Sequence, residues 1–208
     1  MAPMPAQEAE AARTRGEQGE KTRARLLDAA QTVFRERGYA ATRIDDITAK
    51  AGTSHGAFYL YFQNKQDILE ALAVETAEDM YALADALATI ERGEESYESM
   101  RAWVERFIDA YDAHAPVVNA WIAADIEQDS RFARLGSEVL AEFAGRIGAT
   151  IERIGPSDGL HAGAASIALV AMLERVSYFW LVRGTPLERD TVVDTLTRIW
   201  HAALFSRG

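Results

Sequence analysis

The chain contains no cysteine among its 208 residues. That excludes disulfide frameworks, thiolate catalysis and cysteine-ligated zinc. No segment shows sustained period-two alternation, and the turn signals lie too far apart for hairpins, so strands are not expected. No apolar run approaches the ~20 residues of a membrane span. The opening stretch is acidic and lacks an apolar segment, so it is not expected to be a signal peptide, and a cytoplasmic location follows as the expectation. Catalytic patterns are missing as well. His55, His114, His161 and His201 are scattered, and none has a partner at i+3 or i+4 to share a metal. Asp125, Glu127 and Asp129 hint at a calcium loop, but Ser130 and Gly136 stand where it needs Gly and Glu. No phosphate-cradling, dinucleotide-binding or nucleophile-elbow motif occurs. Neither an enzyme, a metal site nor a cofactor is expected.

What is present divides by charge. The net charge is -10, which taken whole argues against nucleic acid. Residues 21–65, however, carry eight basic and four acidic side chains, and residues 66–208 carry twelve basic and twenty-four acidic. All three lysines, Lys21, Lys50 and Lys65, lie in the basic block. A short cationic module is thus attached to a larger anionic one.

Periodicity places helices along nearly the whole chain. Residues 1–20 offer no apolar face and are expected to be a disordered arm. Leu26, Leu27, Ala30, Val33 and Phe34 recur at helical spacing and stop at Gly38. A short helix spans about Ile44 to Ala51 and ends at Gly52; a second follows Thr53 and Ser54, which offer an N-cap. A long helix begins near Lys65. Further helices are expected over Tyr97–His114, from Pro116 to Ile126, over Phe132–Ile154, Leu160–Val182 and Leu187–Phe205, with a turn at residues 155–159. The expectation is an all-α protein of about nine helices. Its divisions are an arm at 1–20, a helix-turn-helix module at 21–66 and a larger helical domain at 67–208.

Two short helices joined by a tight Gly turn inside a basic stretch suit DNA. The first braces on the backbone and the second enters the major groove. Gly38-Tyr39, Ile47-Thr48, Ala51-Gly52, Ser54, Phe58-Tyr59, Tyr61-Phe62 and Asn64-Lys65 resemble, in register over about 45 residues, the DNA-binding signature of TetR-family transcriptional regulators. The resemblance implies phosphate contacts from Tyr59, Tyr61 and Lys65, base contacts from His55, Gly56 and Ala57, and Thr53 and Ser54 at the rim. One position departs from the pattern: the second helix usually opens on Ser or Thr, and here Arg43 stands there with Thr42 before it. Either Thr42 caps a shifted start or Arg43 gains a phosphate.

The family pairs this module with a helical domain that binds a small molecule and dimerises. The last two helices carry apolar residues on more than one face, as a homodimer contact needs. The stretch from Met172 to Trp200 is similar to the subgroup around the ethionamide-resistance repressor, whose apolar tunnel holds an elongated ligand. Where that tunnel carries asparagines this chain has Val170 and Leu173. Trp103, Phe107, Tyr111, Trp121, Tyr178 and Trp200 are the candidate effector-binding residues, favoured because a buried indole needs a partner for its N–H. Glu174, inside an apolar helix, is expected to pair with Arg175 of a second subunit or with Arg101. The resemblance implies a dimeric repressor released from a palindromic operator on double-stranded DNA by a small apolar or aromatic effector, with no role for a membrane. A helical ligand-binding or scaffold protein with a vestigial DNA module is the alternative.

Overall fold

Leu26, Leu27, Ala30, Val33 and Phe34 fall on one side of a helix, and all five are buried, so the spacing that defines the helix also defines what it packs. In the computed structural model, which describes residues 6–127, 130–155 and 160–205, every regular element is helical among the described residues. The chain divides into two units, Met1–Ala73 and Val74–Gly208. The boundary falls inside a helix, seven residues beyond the expected division at 66.

The first unit holds α1 (Ala6–Arg37), α2 (Ile44–Ala51), α3 (His55–Tyr59) and the start of α4 (Lys65–Leu87). Its core joins the α1 residues to Ile47, Phe58, Phe62, Ile68, Leu69 and Leu72, all buried. Burial of Leu and Phe side chains at this depth contributes roughly 1.5–3 kcal/mol each. Residues from Ala6 to Glu20 continue α1 as helix rather than forming a disordered arm. They are poor in apolar side chains, yet Ala, Glu, Gln and Arg are strong helix formers.

The second unit holds the rest of α4, then α5 (Ser96–Glu127), α6 (Ser130–Ile154), α7 (Ala162–Ser177) with a π-helical extension Tyr178–Val182, and α8 (Arg189–Phe205). α5 packs on α6 and α8, and α6 packs on α7. Pro116 lies inside α5 instead of opening a new helix. Among the described residues there are thus eight α-helices and one π-helical extension. A mid-helix proline costs a hydrogen bond, but Ile108 and Tyr111 before it and Val117 after it are all buried, which holds the helix through. Gly155 closes α6 at φ 83°; residues 156–159 of the expected turn, and Asp129 of the calcium-like triplet, lie outside the described residues.

Ala162–Val182 is long and apolar enough to cross a membrane by length and composition, contrary to the expectation of no such run. Only 28% of that window is buried, and Glu174 and Arg175 interrupt it.

Candidate nucleic-acid interface and effector cavity

The helix-turn-helix is shaped by backbone capping. Gly52 adopts φ 61°, a left-handed conformation that only glycine takes without strain, and Thr53 N–H donates to Thr48 O at 3.0 Å. The Arg25 guanidinium donates to the carbonyls of Ala51 and Gly52, the orphaned C-terminal acceptors of α2. Ser54 Oγ accepts from Ala57 N–H at 3.1 Å and so caps α3. Phe58 and Phe62, with ring centroids 5.7 Å apart, anchor the reading helix in the core. What this leaves outward is His55, Gly56, Tyr59 and Leu60. His55 Nε2 lies 3.1 Å from Asp45 Oδ1 and its ring meets Tyr59 edge-on. Ala57 is partly covered, and Tyr61 places its hydroxyl beside Gly19 of α1.

Two expected DNA contacts are otherwise engaged. Lys65 Nζ donates to the carbonyls of Tyr39 (2.6 Å), Thr42 (2.9 Å) and Ala40 (3.2 Å), and sits over the Tyr39 ring. An ammonium has three protons to donate, and here all three hold the loop between α1 and α2. Partial burial lowers its pKa. A lysine at a helix start opposes the dipole, and this loop supplies the compensating reason. Thr42 is buried, its hydroxyl donating to Gly38 O at 2.8 Å. It therefore closes α1 rather than capping α2. Arg43 takes the N-cap position, where Asp46 Oδ2 accepts from its backbone N–H at 2.9 Å, leaving the guanidinium exposed.

The second unit bears a partly open cavity of about 290 Å³. Phe107, Tyr111 and Trp121 line it, as the sequence suggested, together with Thr76, Met80, His114, Val118, Val139, Phe143, Val170 and Glu174. Trp103 and Trp200 do not border it. They are buried with ring centroids 5.0 Å apart, and Trp103 Nε1 donates to Leu83 O at 2.7 Å. Tyr178 also stays off the cavity, stacked under the Arg175 guanidinium.

Polar groups at the cavity are few and unevenly satisfied. His114 Nε2 meets Asp79 Oδ2 at 2.7 Å and Nδ1 meets Thr76 Oγ1 at 3.0 Å, which ties α5 to α4 through a pair no sequence motif announced. Nε1 of Trp121 is buried without a hydrogen-bond partner among the described residues, whereas the Tyr111 hydroxyl faces the Glu174 carboxylate, to which it donates. Burial first, and the Glu174 carboxylate second, raise the Tyr111 pKa. Desolvation likewise raises that of Glu174, against the pull of Arg175. Glu174 Oε2 lies 3.3 Å from Arg175 of its own chain, not from Arg101, which pairs with Glu105, Asp190 and Asp194. No metal-holding cluster occurs among the described residues.

A helix-turn-helix unit continued by one helix into a cavity-bearing helical unit defines the class of one-chain DNA-binding transcriptional regulators. Residues 26–72 match the family described as bacterial regulatory proteins, tetR family, and residues 100–206 match the C-terminal domain of transcriptional regulator EthR. The chain belongs to the TetR family and carries an EthR-type C-terminal domain. It is 26% identical over 179 residues to the HTH-type transcriptional activator FasR of Mycolicibacterium smegmatis, covering 84% of this chain and 79% of FasR. It is 24% identical over 200 residues to the HTH-type transcriptional regulator EthR of Mycobacterium tuberculosis, covering 94% and 93%. Among solved structures, the SmeT–triclosan complex superposes with a TM-score of 0.68 at 22% identity, covering 90% of this chain and 96% of that one.

Proposed function

We propose that the chain is a cytoplasmic, homodimeric, ligand-responsive repressor without enzymatic activity. Arg43, Thr53, Ser54, His55, Gly56, Ala57, Tyr59 and Tyr61 form its DNA surface. The exposed apolar Leu60, which sequence reasoning passed over, joins them as a candidate for thymine-methyl contact. The observation that carries the effector role is the cavity itself, largely apolar and bordered by α4, the helix that begins in the DNA-binding unit. Effector binding would favour one of two arrangements of the chain and weaken operator binding by the same coupling energy. SmeT, similar in fold, is known with triclosan bound, which supports a small, largely apolar effector.

Dimerisation draws support from the last two helices. Ile167, Phe179, Leu187 and Ile199 are exposed there, and the low burial of Ala162–Val182 fits a face covered by a second copy rather than by lipid. A two-fold pair would read half-sites ~34–36 Å apart on a near-palindrome. A second reading, activator instead of repressor, is favoured by the name of FasR.

A gel-shift titration on duplex from the upstream region of the gene, at two salt concentrations with competitor DNA, tests the proposal. Tight, selective binding that weakens steeply with salt is expected. Salt-insensitive binding, or none to that region or to duplexes selected from a random pool, would leave a helical scaffold with an idle module. A reporter assay then gives the sign of regulation.

A further inference from the structure

The helix-turn-helix matches its acids to cations of two kinds. Asp46 of α2 meets the Arg37 guanidinium at 2.7 Å, and Glu36 of α1 meets Lys50 Nζ at 3.0 Å. Arginine and lysine keep their charge throughout the physiological range. Asp45 is matched differently: its Oδ1 lies 3.1 Å from Nε2 of His55, the opening residue of the reading helix. An ionised carboxylate only accepts, so Nε2 carries the proton of that bond, and the charge of the ring depends on whether Nδ1 is protonated as well. From its own helix the Tyr59 ring meets the imidazole edge-on. From α1, Arg25 reaches the adjoining turn but donates to the carbonyls of Ala51 and Gly52. Both members of the pair are open to approach, the Asp45 side chain being 80% exposed and that of His55 50%.

A helix-turn-helix brings this surface against phosphate. With His55 neutral, the pair presents one negative charge there and repels the duplex; with His55 protonated, that charge is cancelled. Phosphate in turn favours the imidazolium, as a nearby anion does. Proton and duplex therefore assist each other by the same factor. We infer that Asp45 and His55 form a pH-responsive reading pair: each chain takes up a proton at His55 as it engages the operator, and Asp45 imposes that requirement by keeping the surface negative until the proton arrives. Acidification thereby strengthens operator binding through an input separate from the effector cavity. The inference rests on the DNA-binding reading above and adds a means of regulation to it.

The test is fluorescence anisotropy of the full chain on a labelled duplex that it selects from a random pool at pH 8, repeated at pH 6 and the same ionic strength. Wild type should bind about tenfold tighter at pH 6 than at pH 8. His55→Gln keeps a polar side chain at the helix start and should cut that gain to less than about twofold. Asp45→Asn should bind about threefold tighter than wild type at pH 8, because the repelling charge is gone. It should also gain less on acidification, because the imidazolium has lost its partner. No gain in wild type, an equal gain in His55→Gln, or weaker binding by Asp45→Asn at pH 8 each overturns the inference; in the last case Asp45 merely orients the ring. Binding at pH 8 does not depend on a charged His55, so it judges the regulator reading separately, and if no duplex is selected both readings fall.

Discussion

The two units of the chain treat their polar groups in opposite ways. In the first, side chains close the backbone. Arg25 caps α2, Ser54 caps α3, Thr42 closes α1, and Lys65 gathers three carbonyls of one loop. In the second, four buried polar atoms lack partners among the described residues: the hydroxyls of Ser177 and Thr197 and the indole N–H groups of Trp121 and Trp200. Among the described residues no such atom occurs in the first unit. A unit that presents a fixed surface to DNA needs its loops held; a unit that admits a ligand tolerates unmet hydrogen bonds that the ligand can complete.

The largest expected effect breaks or confirms the first half of that contrast. Lys65→Met removes three charge-assisted bonds to the α1–α2 loop and should lower stability by about 3 kcal/mol, read as a shift in the urea midpoint. If Lys65 instead serves mainly to bind phosphate, stability will hold and only the salt slope of DNA binding will fall, by about one.

Arg92 is the second unit's nearest counterpart to Lys65. Its guanidinium donates to Phe205 O at 3.1 Å and to Gly155 O at 2.8 Å, the ends of α8 and α6. Cations at helix C-termini complement the dipole, so Arg92→Ala should cost about 2 kcal/mol by the same denaturation experiment. A loss much smaller than that would extend the contrast to the whole second unit.

The sharpest pairing uses two buried threonines. Thr42, whose hydroxyl is bonded, should lose about 1 kcal/mol on replacement by Val, whereas Thr197→Val removes an unmet hydroxyl and should be neutral or stabilising by up to about 1 kcal/mol. Thermal melts of the two variants side by side settle it; equal losses would erase the distinction between the units.

The same contrast explains what was legible in the sequence. The helix-turn-helix is local: its glycines, cap and paired phenylalanines lie within about twenty residues, so spacing alone exposes them. The loop-holding bonds of Lys65 were not legible because its partners, Tyr39 to Thr42, lie far back along the chain and are backbone atoms, which no motif records. The cavity is assembled from α4, α5, α6 and α7, and its polar members, Thr76, His114 and Glu174, carry no common spacing. The need of a buried indole N–H for a partner favoured Trp103 and Trp200, yet those two fill the core, where Trp103 finds its partner in the Leu83 carbonyl. The arm at 6–20 was misjudged for another reason: the absence of an apolar face says nothing against a helix built from strong helix formers.

The smallest effect concerns Glu174, whose carboxyl is held above its ordinary pKa by desolvation in the cavity wall. Between the ordinary value and the raised one, the folded chain keeps a proton that the unfolded chain has released. Stability contributed by the neutral acid is thus present at low pH and is lost as pH rises through the folded value. Glu174→Gln mimics the neutral acid and should remove that slope. The two proteins should therefore melt alike near pH 4 and diverge toward neutrality, with the Gln variant the more stable. Should the wild type instead gain on the variant as pH rises, the attraction of Arg175 outweighs burial. Glu174 would then belong with the satisfied groups of the first unit rather than with the unmet groups of the second.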